Sequence, residues 1–391
     1  MQRTFHRDAF TWLNYFSLTF YGFFLNVLGP ITPFLKDELD LSYTVSSLHF
    51  TAFAVGILLI GFGGHFVIQR LGRVRALWIG MLGISLGILI LLTGSSPIVT
   101  IGASFLMGLV GSLILAIVPA ALSDRHGELR AVALSEANVI ASLFATAAPI
   151  MVGWSARVLG SWQLPVGIMA FTPLLLFMGF GKATADVTTS TAEEPVQSGK
   201  SLPMLFWVYW AAIVLGVSVE FCMIFWSADY LENVLGMVKA SAAQSVSLFL
   251  AGMILGRMAG SRLVQRFSTR AVVMFSILIA GIGFLLFWRT GTVSLALSGL
   301  FLTGLGVSNL YPLLLSQAIG AANGNTVQAG ARATLASGTA ILALPLVLGR
   351  LADAVGIRPA YGVVALLLFS VFVISQIGGR ISLSRRSPVQ Q

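Results

Sequence analysis

The chain has 391 residues, 57% of them hydrophobic and only 9% charged, with 41 glycines and 27 phenylalanines. A soluble domain carries about 25% charged residues because its surface must stay hydrated, so this composition excludes a soluble enzyme, a disordered chain and a disulfide scaffold together. The net charge of +9 would point to nucleic acid in a soluble chain. Here the basic residues sit in short loops between apolar runs, so they orient helices in a bilayer and no nucleic-acid partner is expected.

A helix that crosses a bilayer needs about 20 mostly apolar residues. In chain order, that window predicts twelve spans, at 10–34, 44–69, 75–93, 97–122, 130–158, 162–182, 203–232, 239–265, 270–289, 291–320, 327–354 and 358–379. Arg3 and Arg7 ahead of the first apolar stretch imitate a signal peptide. That stretch is too long and lacks a small-residue cleavage site, so it reads as a retained span. Breaks such as Lys36-Asp37-Glu38 and Gly94-Ser95-Ser96-Pro97 carry charges or turn residues. The stretch 183–202, rich in Thr, Ser and Glu with Pro195 inside it, is the one plausible linker. The expected architecture is an all-α membrane protein with six-helix bundles at 1–182 and 203–391. The single cysteine, Cys222, forms no intrachain disulfide and reads as a small buried hydrophobe.

Lys and Arg set the orientation. With the N-terminus cytoplasmic, that side holds Arg3, Arg7, Arg70, Arg73, Arg75, Arg125, Arg130, Lys182, Lys200, Arg262, Arg266, Arg270, Arg380, Arg385 and Arg386. The other side holds Lys36, Arg157, Lys239, Arg289, Arg350 and Arg358. Fifteen against six places both termini in the cytoplasm.

The halves also repeat each other at one offset, 196 residues, with no gap. Phe105-Leu106-Met107-Gly108-Leu109 faces Phe301-Leu302-Thr303-Gly304-Leu305, and Ser112 faces Ser308. Gly56 and Gly64 face Gly252 and Gly260, Gln69-Arg70 faces Gln265-Arg266, and Pro149, Gly153 and Gly160 face Pro345, Gly349 and Gly356. A duplicated six-span unit describes a transporter better than a receptor or a membrane enzyme.

The run from Gly64 through Gln69-Arg70-Leu71-Gly72-Arg73-Val74-Arg75 resembles the loop signature between the second and third spans of the major facilitator superfamily. Its glycines and arginines match in place, while the family's acidic position is Gln69, which removes the acid that helps latch the cytoplasmic side. The family's fourth-span arginine is absent too, because 97–122 holds no basic residue. Ala148-Pro149 with Gly153 is similar to part of the fifth-span antiporter motif. Glu220, Trp226, Tyr230 and Gly256-Arg257 resemble sugar-permease-like branches.

Glu220 lies about 17 residues, or about 25 Å, into the seventh span. An ionised carboxylate in hydrocarbon is costly, so such a residue faces a cavity or a partner. Glu220 is the leading proton or substrate site, and the resemblance implies that its span lines the substrate path. Asn26 lies at similar depth in the first span, ahead of Gly29-Pro30, which is expected to loosen the backbone. Asn309 and Tyr311-Pro312 do the same in the tenth. The resemblance implies that the first, fourth, seventh and tenth spans line one cavity, where Asn26, Asn309, Tyr311 and Trp226 would meet substrate. Buried amides also simply glue helices together. Glu136, the only other carboxylate placed well inside a span, faces Arg332 across the repeat. The resemblance brings the fifth span to the eighth, which makes Glu136 and Arg257 a candidate gate pair; a static ion pair is the plainer reading. Gly83-Ile84-Ser85-Leu86-Gly87 fits a hydrolase pattern but sits inside an apolar span with no strand before it.

No phosphate loop or metal-ligand cluster is present in the sequence, so no cofactor is expected. The expected function is secondary transport of a small organic solute by alternating access, coupled to protons, by a monomer in a bacterial-type inner or plasma membrane. Alternatives are efflux by proton antiport and a transport-inactive sensor or assembly protein on the same fold.

Overall fold

A computed structural model of the chain describes residues 5–181, 202–322 and 326–384. The expected linker at 183–202 lies, apart from Leu202, outside the described residues. All regular structure among the described residues is helical, as a hydrocarbon solvent requires, because a helix satisfies every backbone polar group within its own segment. The helices are α1 (Ala9–Glu38), α2 (Tyr43–Leu71), α3 (Arg73–Thr93), α4 (Pro97–His126), α5 (Arg130–Val158), α6 (Gln163–Ala170), α7 (Thr172–Phe180), α8 (Met204–Leu235), α9 (Lys239–Leu263), α10 (Thr269–Arg289), α11 (Val293–Val307), α12 (Leu310–Gly320), α13 (Thr326–Val355), α14 (Ile357–Ala360) and α15 (Gly362–Ser384).

Eleven helical runs among the described residues are long and apolar enough to cross a membrane. One of them, Pro97–Val158, has 62 residues, which at 1.5 Å each is about 93 Å and far too long for one crossing. It turns at Gly127, whose φ of +53° suits only a glycine, and continues through the 3₁₀ turn Gly127–Leu129. Counting α4 and α5 separately gives the twelve expected spans. Local chemistry sets the ends: Asp8, Ser42 and Ser268 cap α1, α2 and α10 with side-chain oxygens, and left-handed Gly236 closes α8. The expected loosening at Gly29-Pro30 does not interrupt α1, which runs through Pro30 and Pro33.

The helices form two units, Met1–Glu193 with Lys239–Gln244 and Glu194–Val238 with Ser245–Gln391. In the first, α1 lies along α5, and α2 and α3 both lie along α4. In the second, α10 lies along α11, while α8 is surrounded by α12, α13 and α15. Phe20, Phe23 and Phe24 fill the first core; Tyr230, Tyr361, Phe284 and Phe287 stack in the second.

Both units repeat the same close contacts. Gly56 sits against the backbone of Gly108-Leu109, and Gly108 against the Phe53 carbonyl. In the second unit Gly252 sits against Phe301 and Leu305, and Gly304 against the Phe249 carbonyl. A Cβ at any of these positions would collide with backbone. The exposed stripe repeats as well: Ile79, Leu82, Leu86 and Leu89 of α3 have counterparts in Phe275, Leu278, Ile282 and Leu285 of α10. Their spacing of three and four puts each set on one helix face. These are the faces for lipid.

Candidate functional site

Glu220 is the seventeenth residue of the 32-residue α8 and is half-buried. The carboxyl therefore lies about halfway along a helix of about 48 Å. Arg257 of α9, in the same unit, has an exposed side chain. Tyr311 of α12 is half-buried in the same unit. An acid, a guanidinium and a phenol thus sit on α8, α9 and α12 of the second unit.

The path of the tenth span explains how Tyr311 arrives there. Pro312 has no N–H to offer the Ser308 carbonyl four residues back, and its ring excludes a regular turn at that point. The span breaks at Ser308–Asn309 and resumes as α12. Ser308 turns its hydroxyl onto the Leu305 carbonyl at 2.8 Å. Asn309 is buried, and its Nδ2 donates to the Gly256 carbonyl at 3.0 Å. Because a carbonyl only accepts, the orientation of that amide is fixed.

The other expected site residues lie elsewhere or are already engaged. Trp226 is wholly enclosed and donates its indole N–H to the Pro345 carbonyl at 3.2 Å. It is a packing residue between α8 and α13. Asn26 is half-buried, with Nδ2 on the Gly22 carbonyl of its own helix at 2.8 Å. Arg332 has an exposed side chain, and its backbone carbonyl receives the Trp210 indole at 2.8 Å. In the loop signature, Gly64 is buried, Arg70 exposed, and Gly72 takes a φ of +78° between α2 and α3. Arg73 pairs with Asp124 at the end of α4, a carboxylate that the comparison at position 69 did not reveal.

Glu136 is held within the first unit. Arg7 donates to both its oxygens at 2.8 and 2.6 Å, and the Tyr15 hydroxyl adds a third bond at 3.1 Å. This pairing holds the Arg7 guanidinium above its ordinary pKa through the Glu136 hydrogen bonds and charge. Beside it, Asp8 accepts from the amide and hydroxyl of Thr11 and from Arg125. Burial pushes the Asp8 carboxyl up, but these Thr11 bonds and Arg125 outweigh it and hold the group below the usual range. The Thr11 hydroxyl proton is on Asp8, so the contact at 2.8 Å from its oxygen to His126 is an Nε2–H donation.

Sequence reasoning missed this network and one more group. Asp229, in the same helix as Glu220, is fully buried, so Glu136 is not the only other carboxyl deep in a span. Asp229 lies inside the predicted span 203–232, close to its end, and α8 continues past it to Leu235. Asp8 carried a legible signal, a capping residue just before an apolar helix. The Arg7–Glu136 pair, 129 residues apart, carried none. Ser85 of the hydrolase-like pattern bonds the backbone carbonyls of Ala170 at 2.6 Å and Met81 at 3.2 Å.

A family model described as Major Facilitator Superfamily matches residues 15–331. Over 157 residues the chain is 32% identical to an uncharacterized MFS-type transporter of Yersinia pestis, a match that covers 39% of this chain and 40% of that relative. The chain thus matches about two fifths of that relative's length. Over 364 residues it is 26% identical to a glucose/galactose transporter of Brucella abortus, with 87% of each chain covered. Among solved structures, a bacterial homolog of the human lysosomal transporter Spinster, in an inward-facing and occupied conformation, matches with a TM-score of 0.78. That match has 14% identity and covers 97% of this chain and 98% of the other. Such an identity speaks for the fold.

Proposed function

The chain belongs to the Major Facilitator Superfamily of membrane transporters and is not an enzyme, and on that premise we propose that it moves a sugar-like solute by alternating access, coupled to protons through Glu220. The observation that carries this reading is a carboxyl halfway along the apolar helix α8, where an unbalanced charge is costly. Ionised, Glu220 is balanced by the Arg257 guanidinium. Protonated, it loses the desolvation cost of a closed site and leaves Arg257 free to meet another acceptor. Tyr311 offers a hydroxyl of the kind that binds sugar hydroxyls. The Brucella relative, named a glucose/galactose transporter and aligned over 87% of both chains, supports the substrate class.

The test is uptake of radiolabelled D-galactose and D-glucose into proteoliposomes, with and without an inward proton gradient. The parent should concentrate sugar only with the gradient, and Glu220→Gln should still exchange sugar but not concentrate it. Accumulation by the Gln variant equal to the parent would sink the coupling role. Concentration driven only by the opposite gradient would instead mark an exporter.

The arrangement we propose is a monomer with bundles at 1–182 and 203–391, joined by a linker at 183–202 that shares the cytoplasm with both termini. The excess of Lys and Arg on that side supports it. A tag at residue 190 should stay silent to an impermeant reagent added outside intact cells; labelling there would reverse the topology.

A further inference from the structure

The lipid-facing stripe of α10 does not end in an apolar residue. One turn beyond Leu285, on the same face as Phe275, Leu278 and Ile282, comes Arg289, and its side chain is exposed. The guanidinium lies over the Trp288 ring, 5.4 Å from its centroid. Trp288 is itself pinned. Its indole N–H donates to the Arg358 carbonyl of α14 at 2.6 Å, and its own carbonyl accepts from the Tyr230 hydroxyl at 2.7 Å. One ring therefore carries Arg289 on its face and the Arg358 backbone at its edge, and the Arg358 side chain is exposed as well. Among the described residues, neither guanidinium has a carboxylate partner. Helix α15 leaves from the same spot, since a Cβ on its first residue, Gly362, would touch the Trp288 ring at 3.4 Å. At the other end, Gln376 of α15 accepts from Arg270, near the start of α10, at 2.5 Å. The two helices are antiparallel neighbours, and α15 adds its own exposed face of Leu366, Phe369, Val373 and Ile377. Two apolar stripes thus run into the bilayer from one pair of unpaired cations.

The first unit repeats the α10 stripe without the charge. At the repeat positions of Arg289 and Arg358 it has Thr93 and Trp162. Thr93 turns its hydroxyl onto the Leu89 carbonyl of its own helix at 2.8 Å, and Trp162 is buried with its indole N–H on Glu38 at 2.6 Å. An apolar stripe alone asks only for acyl chains. Guanidiniums at its end ask for a phosphate, which they bind through paired N–H donors. A zwitterionic headgroup would bring its own cation against the arginines, whereas phosphatidylglycerol brings a net negative charge.

We propose that the α10–α15 face, closed by Trp288, Arg289 and Arg358, is a binding site for an anionic phospholipid. Its phosphate meets the two guanidiniums and its acyl chains lie along the two stripes. The test uses the full chain in phosphatidylcholine nanodiscs that contain a trace of phosphatidylglycerol with a diazirine in one acyl chain. After irradiation, mass spectrometry of the peptides locates the crosslinks. In the parent they should concentrate on α10 and α15, and unlabelled phosphatidylglycerol should displace them where the same amount of added phosphatidylcholine does not. Arg289→Gln and Arg358→Gln should each lower the labelling of these two helices about fivefold, and the double variant about twentyfold. The pair Arg289→Lys and Arg358→Lys, which keeps both charges, should retain most of it. Labelling of the α3 stripe at 79–89 should be the same in every variant, which also reports that the bundle is intact. Equal displacement by the two lipids, or labelling of α10 and α15 in the double Gln variant equal to the parent's, would overturn the proposal. A fall that the α3 stripe shares would overturn it too, because no arginine closes that face.

Discussion

Where α2 crosses α4, the Phe53 carbonyl lies against Gly108; where α9 crosses α11, the Phe249 carbonyl lies against Gly304. The lipid-facing stripes of α3 and α10 match residue for residue. The polar groups do not repeat. The first unit gathers Arg7, Asp8, Tyr15, Arg125, His126 and Glu136 around the end where α1 begins. At the corresponding positions, the second has Pro203, Met204, Ala211, Ala321, Ala322 and Arg332, and places its acid, guanidinium, phenol and amide halfway along α8 and around the α12 break. The difference separates two demands on one frame. Close helix approach is a backbone matter that glycine settles identically in both units, whereas chemistry sits on side chains that changed independently.

The sharpest way to break this comparison is at the shared contacts. Gly108→Val and Gly304→Val each drive methyl groups into a carbonyl, and each should cost about 3 kcal/mol, read from thermal unfolding in detergent. If one variant is tolerated and the other is not, the two crossings are not equivalent. Next, Leu113→Asn gives the first unit the amide of the second with a glycine kept at Gly64 but Ile60 in place of Gly256, and the Ile60 side chain lies against Gly64. An amide with no acceptor should cost about 2 kcal/mol in denaturant unfolding; a neutral result means that Ile60 leaves room for it. A smaller effect, about 1 to 2 kcal/mol, is expected for Trp226→Phe, which strips the Pro345 carbonyl of its donor. Half-saturation for galactose should stay unchanged, and a rise would return Trp226 to the substrate path. The smallest effect belongs to the first unit's own network: Asp8→Ala removes a helix cap worth about 1 kcal/mol. Because folding holds the Asp8 carboxyl below its ordinary range, its contribution is complete at neutral pH and disappears as pH falls through that lowered value. The gap between parent and variant should close on acidification, and a gap that persists in acid would assign the stability to another group.

The frame was legible because bilayer thickness dictates span length and the repeat exposes itself in Gly56, Gly108, Gly252 and Gly304. Glu220 was legible as a carboxyl midway along an apolar run. The bonds that hold Glu136 were not: depth along a helix says nothing about which way a side chain points, and Glu136 takes its hydrogen bonds from Arg7 and Tyr15. Trp226 misled for a related reason. Helix α8 is packed by α12, α13 and α15 and is apolar nearly all round, so no periodicity separates an enclosed face from a lining one. The Arg7–Glu136 contact depends on α1 lying along α5, which emerges only from the assembled unit.

The glycine-to-carbonyl contacts also act as register marks for inheritance. One residue inserted within α2 or α4 beside this contact would turn the rest of that helix by about 100° and advance it about 1.5 Å. A side chain would then replace glycine opposite the carbonyl, in a space that holds none. Substitutions can accumulate around such contacts, but changes in length cannot, and the one-residue joint at Gly72 leaves little slack to absorb them. A duplicated unit built this way loses its lettering before its ruling. That is why Gly108 and Gly304, or Ile79 and Phe275, still align at one ungapped offset although most of the side chains between them differ.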